Sequence, residues 1–286
     1  MVLKTELNAI SFSNLVEDLK YNGYFFVERE ILPRRWNCSE QLESFEVESW
    51  SYLKAEGAIV PLVAVDASSS VVGMRNEEPI EAVRAAIVIK LPEENPRIIR
   101  LGPYLRSYSS IDDDGMIALE TSAKKFALSQ ISGGIVLLDG LFLSEEYRMP
   151  QSAYNQCYND NTIISIVKRF VSSKVLPPSI DRDKPIIAKL KNTNLYLLKL
   201  GKAPIILKSE ICPSMEIEDA TRVVNTLLKS DSIYMAYPNS LRLSHIYSKI
   251  LFTESIALQK LAMSETGIIL SPVINDRKII LGSMWS

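Results

Sequence analysis

Polar and apolar positions along the chain fall into blocks that specify elements in a definite order. Residues 1 to about 55 mix charge with aromatic side chains (Tyr21, Tyr24, Phe25, Phe26, Trp36, Trp50) around a break at Pro33, and read as a mainly helical extension. From Ala58 the pattern changes to strands: Ala58–Asp66, Val83–Lys90 and Arg97–Leu101, the last two joined through a turn at 94–96. No helix intervenes, so these three predict an antiparallel meander. A helix follows. Met116, Leu119, Ala123, Phe126, Ala127 and Ile131 recur at helical spacing behind the N-terminal signals Ser109, Ser110 and Asp112–Asp114, and Gly133-Gly134 stops the run. The strand Ile135–Asp139 starts at once, which predicts a parallel crossover onto the meander.

Further along, Thr162–Lys168 reads as another buried strand, with weaker strands at Leu195–Leu200 and Ser232–Tyr237 and a helix at Glu216–Lys229 between them. Pro238 precedes a long helix over Ser240–Leu261, and a hairpin turned at Asn275-Asp276 pairs Ile268–Ile274 with Lys278–Leu281. The whole is expected to form one α/β domain, residues 1–286. It consists of a ribonuclease-H-like mixed sheet flanked by helices over 56–286, a helical N-terminal extension over 1–55, and a C-terminal β-hairpin.

Composition narrows the function. At 286 residues with 47% hydrophobic and 23% charged side chains, the chain has ample material for a core. A net charge of -2 gives no overall field toward a polyanion, so any nucleic-acid grip must come from a local patch. No apolar run reaches the roughly 18 residues of a membrane span, and MVLKTELNAISFSNLVEDL carries acids too early for a secretion signal. The scattered Cys38, Cys157 and Cys212 fit a reduced, cytoplasmic protein without a disulfide framework, and a single histidine excludes a multi-histidine metal centre.

Two apolar runs end in an aspartate: Leu62-Val63-Ala64-Val65 before Asp66, and Ile135-Val136-Leu137-Leu138 before Asp139. Continuous runs of this kind read as strands buried on both faces. A carboxylate at such an end needs a partner, because an unpaired buried charge is costly. If the strands are neighbours, the two acids form a pocket suited to a hard divalent cation such as Mg²⁺ or Mn²⁺. The alternative is that each acid caps a turn, which the Asp-Ala-Ser-Ser-Ser and Asp-Gly contexts also suit.

Glu120 stands at the edge of the helix's apolar stripe, either reaching past the core or facing the pocket. His245 in the long helix is either a core-edge residue or a metal ligand or proton carrier. Lys168 is either a solvated strand end or a cation placed to contact a phosphate. With Arg169 and Lys174 it forms the best local phosphate-contact cluster.

Taken in order, Asp66, Glu120, Asp139, Lys168 and His245 resemble the NurA nuclease family from about residue 58 onward. The family pattern has Asp-Gly-Ser after both acid-bearing strands; here Ala67 and Leu141 depart from it. The resemblance implies a Mn²⁺- or Mg²⁺-dependent deoxyribonuclease with single-strand endonuclease and 5′→3′ exonuclease activity. It implies Asp66, Glu120, Asp139 and His245 as metal ligands, and Lys168 as the phosphate contact. It further implies a homodimer working in DNA end resection with a hexameric HerA-type ATPase, for which Met284 and Trp285 are a candidate docking element. Two other readings stay open: a catalytically weakened DNA-binding scaffold of the motor, and a ribonuclease-H-like enzyme acting on RNA or hybrids.

Overall fold

The structure is a computed structural model that describes residues 46–75, 78–107, 115–140, 161–171, 176–177, 180–181, 183–191, 193–213 and 215–266. One nine-stranded sheet dominates it, in the order β1-β7-β8-β9-β6-β5-β2-β3-β4. The strands are β1 (Val47–Tyr52), β2 (Leu62–Arg75), β3 (Glu78–Lys90), β4 (Arg97–Ser107), β5 (Ile135–Asp139), β6 (Thr162–Val171), β7 (Ile186–Leu190), β8 (Leu195–Lys199) and β9 (Ile206–Cys212). Antiparallel pairing of β2, β3 and β4, with β5 parallel to β2 and β6 parallel to β5, is the ribonuclease-H-like arrangement. Beyond β6 the sheet is extended by antiparallel β9, β8, β7 and β1.

Helices cover both faces. Strand alternation sends Val63, Val65, Val136 and Leu138 to one side, where they pack with Leu119, Ala123, Phe126 and Ala127 of α1 (Gly115–Leu128). The alternate residues Leu62, Ala64, Ile135 and Leu137 face the other side. There they meet Ala220, Val224 and Leu227 of α2 (Ile217–Ser230) and Leu241 of α3 (Asn239–Ser248). A last helix, α4, spans Phe252–Thr266. Gly134, between α1 and β5, is held by close approach: a Cβ there would lie 2.5 Å from the Pro61 carbonyl oxygen, which accepts the Ile135 N–H at 2.9 Å.

Several elements differ from the sequence expectation. Strand β2 does not stop at Asp66 but runs to Arg75, paired with β3 apart from a register shift between Val71 and Gly73. The run Asp-Ala-Ser-Ser-Ser carries turn chemistry in isolation, yet its alternate residues are satisfied by helices. Ser68 Oγ donates to the Ser248 carbonyl at 2.6 Å, and Ser70 and Ser255 hydroxyls lie 3.3 Å apart. The helix expected over Ser240–Leu261 is broken at Lys249–Leu251, with Lys249 in extended backbone. Carbonyls at the end of a helix need outside donors. Ser68 supplies one to Ser248, and Arg84 Nη1 supplies another to Lys249 at 3.1 Å. Glu254 then reaches back to the Leu251 N–H at 3.0 Å, half of a capping box that restarts the chain as α4.

The helical extension over 1–55 gives way to strand β1 at Val47–Tyr52, which finishes the sheet edge on β7. Residues 1–45 and the expected C-terminal hairpin lie outside the described residues. Strands β7 and β9 were not expected; Lys208, Ser209 and Glu210 interrupt the apolar signal of β9. Ser232–Tyr237 is reduced to a two-residue ribbon, β10 (Ile233–Tyr234) with β11 (Tyr237–Pro238).

Candidate metal centre

The two aspartates meet because of strand register. In the parallel pair β2–β5, Leu62 stands beside Ile135, and the pairing runs step by step to Val65 beside Leu138. The next step sets Asp66 beside Asp139, and alternation points both to the face covered by α2 and α3. Asp139 is the last residue of β5 and pairs with Ile166 of β6. Gly140 follows at φ +83°, a left-handed turn away from the sheet. Asp66 is only 4% exposed, so its charge depends on fixed partners.

Helix α3 supplies those partners. Its start is tied to the sheet by Asp231, which accepts the Ser240 N–H at 2.9 Å and pairs with Lys90 of β3 at 3.3 Å. One face of α3 buries Leu241, Ser244 and Ser248. His245 Nδ1 then lies 2.7 Å from Asp66 Oδ2, and Ser248 Oγ donates to the same oxygen at 3.1 Å. With Asp66 ionised, the imidazole donates from Nδ1, which leaves Nε2 as its acceptor or ligand atom. The His245 side chain is 46% exposed, so this ring spans the boundary between the buried carboxylate and solvent.

Tyr237 of β11 closes the other side, its hydroxyl donating to Asp139 Oδ1 at 3.5 Å. Burial pushes the Tyr237 phenol far above its usual range, and the nearby charges of Asp139 and Asp66 push the same way. The phenol therefore stays protonated beside Asp139.

Asp66, Asp139 and His245 each offer a ligand atom, and all these atoms lie within 4.8 Å of one another. Two carboxylate oxygens and one imidazole nitrogen fit Mg²⁺ or Mn²⁺ chemistry, since hard cations take oxygen donors and Mn²⁺ also accepts imidazole. Tyr237 and Ser248 orient these groups from behind, as partners of metal ligands do.

The other expected site residues are placed as follows. Glu120 is buried on α1, the helix on the opposite face of the sheet from α3, and its Oε1 is 2.6 Å from Lys124 Nζ; it is not among the three clustered ligands. Lys168 and Arg169 lie in β6, Lys168 two residues beyond Ile166, the backbone partner of Asp139. Lys174, Met284 and Trp285 lie outside the described residues. Ala67, at the departure from glycine, sits in the β2–β3 ladder opposite Ala85 and packs on the α1 side, with no left-handed backbone to strain it.

Sequence reasoning missed Tyr237 and Ser248. Ser248 follows His245 by one helical step of three, a spacing that places both on one face. Tyr237 had only its position before Pro238 to mark it.

No protein-family model matches the chain, and no curated protein matches it by sequence. Among solved structures it is similar to the NurA nuclease from Sulfolobus solfataricus, with 16% identity, a TM-score of 0.49, and 93% of this chain and 98% of that chain covered. It is also similar to Endonuclease V from Streptomyces avermitilis, with 12% identity, a TM-score of 0.41, and 91% and 94% covered. Argonaute from Marinitoga piezophila, in complex with guide RNA and target DNA, matches with 14% identity and a TM-score of 0.43, over 71% of this chain and 31% of that one. Among the described residues no helix is long and apolar enough to cross a membrane.

Proposed function

We propose that this protein is a divalent-metal-dependent deoxyribonuclease. The observation that carries the reading is the meeting of Asp66, Asp139 and His245 on one face of the sheet, within 4.8 Å. Asp66, Asp139 and His245 would hold Mn²⁺ or Mg²⁺. Such an ion lowers the pKa of bound water and stabilises the charge developing on a transferred phosphate.

The chain's own contributions follow from its hydrogen bonds. Ser248 and His245 both engage Asp66 Oδ2 and so hold its carboxylate in place. Tyr237 steadies Asp139 with a proton it does not give up. With Nδ1 held by Asp66, Nε2 of His245 would be the nitrogen offered to the metal. Lys168 and Arg169, together with Lys174, are proposed to contact the phosphate backbone.

The resemblance of the ordered residues to NurA nucleases supports the finer reading. In it the protein is a cytoplasmic homodimer with single-strand endonuclease and 5′→3′ exonuclease activity, resecting DNA ends with a hexameric HerA-type motor that Met284 and Trp285 help to engage. Digestion of end-labelled single- and double-stranded DNA with Mn²⁺, with Asp66→Ala alongside, tests the core of this. Cleavage by the wild type and none by the variant is expected; equal cleavage by both would overturn it. RNA and hybrid strands in the same assay decide the substrate class.

A further inference from the structure

The turn joining β10 to β11 is built at a conformational cost. Met235 and Ala236 both have positive φ, 48° and 67°, the arrangement of the tight hairpin turn that normally takes Asn-Gly. Side chains with a Cβ are disfavoured there, and such positions persist only where the surroundings hold them. Ala236 is buried, at 3% exposed, and anchors the turn, whereas Met235 is 71% exposed and Tyr234 just before it 51% exposed.

The turn stands directly beside the metal centre. Tyr234 and Tyr237 are cross-strand partners, and Tyr237 donates to Asp139. Helix α3 braces the exposed ring from the same side. The Arg242 guanidinium lies 4.6 Å from the centre of the Tyr234 ring, and Asn239 Oδ1 fixes it by accepting from Nε at 3.1 Å and from Nη2 at 3.0 Å. Nη1 takes part in neither bond. Arg242 precedes His245 by three residues, so cation and imidazole share one helix face.

We propose that Tyr234, backed by Arg242, is a stacking platform for a nucleobase of the single strand whose phosphodiester lies at Asp66 and Asp139. This rests on the nuclease reading above. An aromatic ring pinned by a guanidinium and half open to solvent is what sequence-tolerant binding of single strands uses: the ring takes a base and the arginine takes stacking and phosphate charge. The strained turn keeps the ring at a fixed height over the site, so a stacked base sets where the neighbouring phosphate falls.

The test is fluorescence anisotropy of the full chain with a labelled single-stranded oligonucleotide in metal-free buffer, where no cleavage intervenes. Tyr234→Ala is expected to weaken binding about tenfold, Tyr234→Trp to retain it, and Arg242→Ala to weaken it with a shallower salt dependence. A single abasic position moved along the oligonucleotide should weaken wild-type binding at one location and leave Tyr234→Ala indifferent. The loss on DNA, or on DNA and RNA alike, supports the platform and identifies its strand. If the wild type binds and Tyr234→Ala binds equally well, the platform alone is overturned. If the wild type binds no strand, the platform is overturned, while the Mn²⁺ digestion above still decides the nuclease reading.

Discussion

Ser248 and Asp66 are 182 residues apart in sequence, yet the Ser248 hydroxyl donates to Asp66 Oδ2 at 3.1 Å from a fully buried position. That same serine offers its carbonyl to Ser68, so one residue at the end of α3 fixes both the rotamer of the carboxylate and the seat of the helix on β2.

Replacing Ser248 with alanine is therefore expected to loosen Asp66 without removing a ligand. Mn²⁺ affinity measured by calorimetry should fall about tenfold, the usual scale for a group behind a metal ligand, with a stability loss of about 1 kcal/mol. Unchanged affinity would show that the hydroxyl holds the helix only.

Asp139→Asn removes one of two adjacent carboxylates. Cleavage in Mn²⁺ should fall on the order of 100-fold or more. In metal-free buffer, thermal stability should hold or rise by up to about 1 kcal/mol, because repulsion from Asp66 is relieved. A large loss of stability together with activity would mark Asp139 as structural.

Arg84, only 4% exposed on its side chain, is held by both Glu254 oxygens at 3.0 Å. The hydrogen bond from Arg84 holds the Glu254 carboxyl below its ordinary value of 4.5, so the fold favours the charged form. The stability this confers is present at neutral pH and is lost as pH falls below about 4.5, through the depressed folded-state value. Glu254→Gln should cost roughly 1–3 kcal/mol at pH 7, discounted for the partial exposure of Glu254. Urea unfolding across pH should show the variant and wild-type curves converging in acid.

Gly134→Ala drives a methyl against the Pro61 carbonyl, 2.5 Å away in the present backbone. A loss of about 1–3 kcal/mol is expected, read from the midpoint of chemical unfolding. Full wild-type stability would mean that the β2–β5 junction yields.

Much of this arrangement is legible in the residues, and the illegible part has physical causes. The apolar runs before Asp66 and Asp139 specify strands buried on both faces, and the helix between them forces a parallel pairing whose register brings the acids together. The extension of β2 past Asp66 was hidden because Ala67–Ser70 reads as turn chemistry until Ser248 and Ser255 appear as partners. Glu120 illustrates another limit: position on a helical stripe gives a residue's angle around its own axis, not the face of the sheet that the helix covers. The break between α3 and α4 has no proline or glycine at it; its freed carbonyls are met by Ser68 and Arg84, 180 and 165 residues away in sequence.

The distance in sequence between the two halves of the site has a consequence during synthesis. Both carboxylates leave the ribosome long before the imidazole that completes them. A nascent or prematurely terminated chain ending before α3 holds two acids and neither His245, Ser248 nor the Tyr234–Arg242 pair. The order of residues along the chain thus completes the three-residue cluster only after α3 has been made.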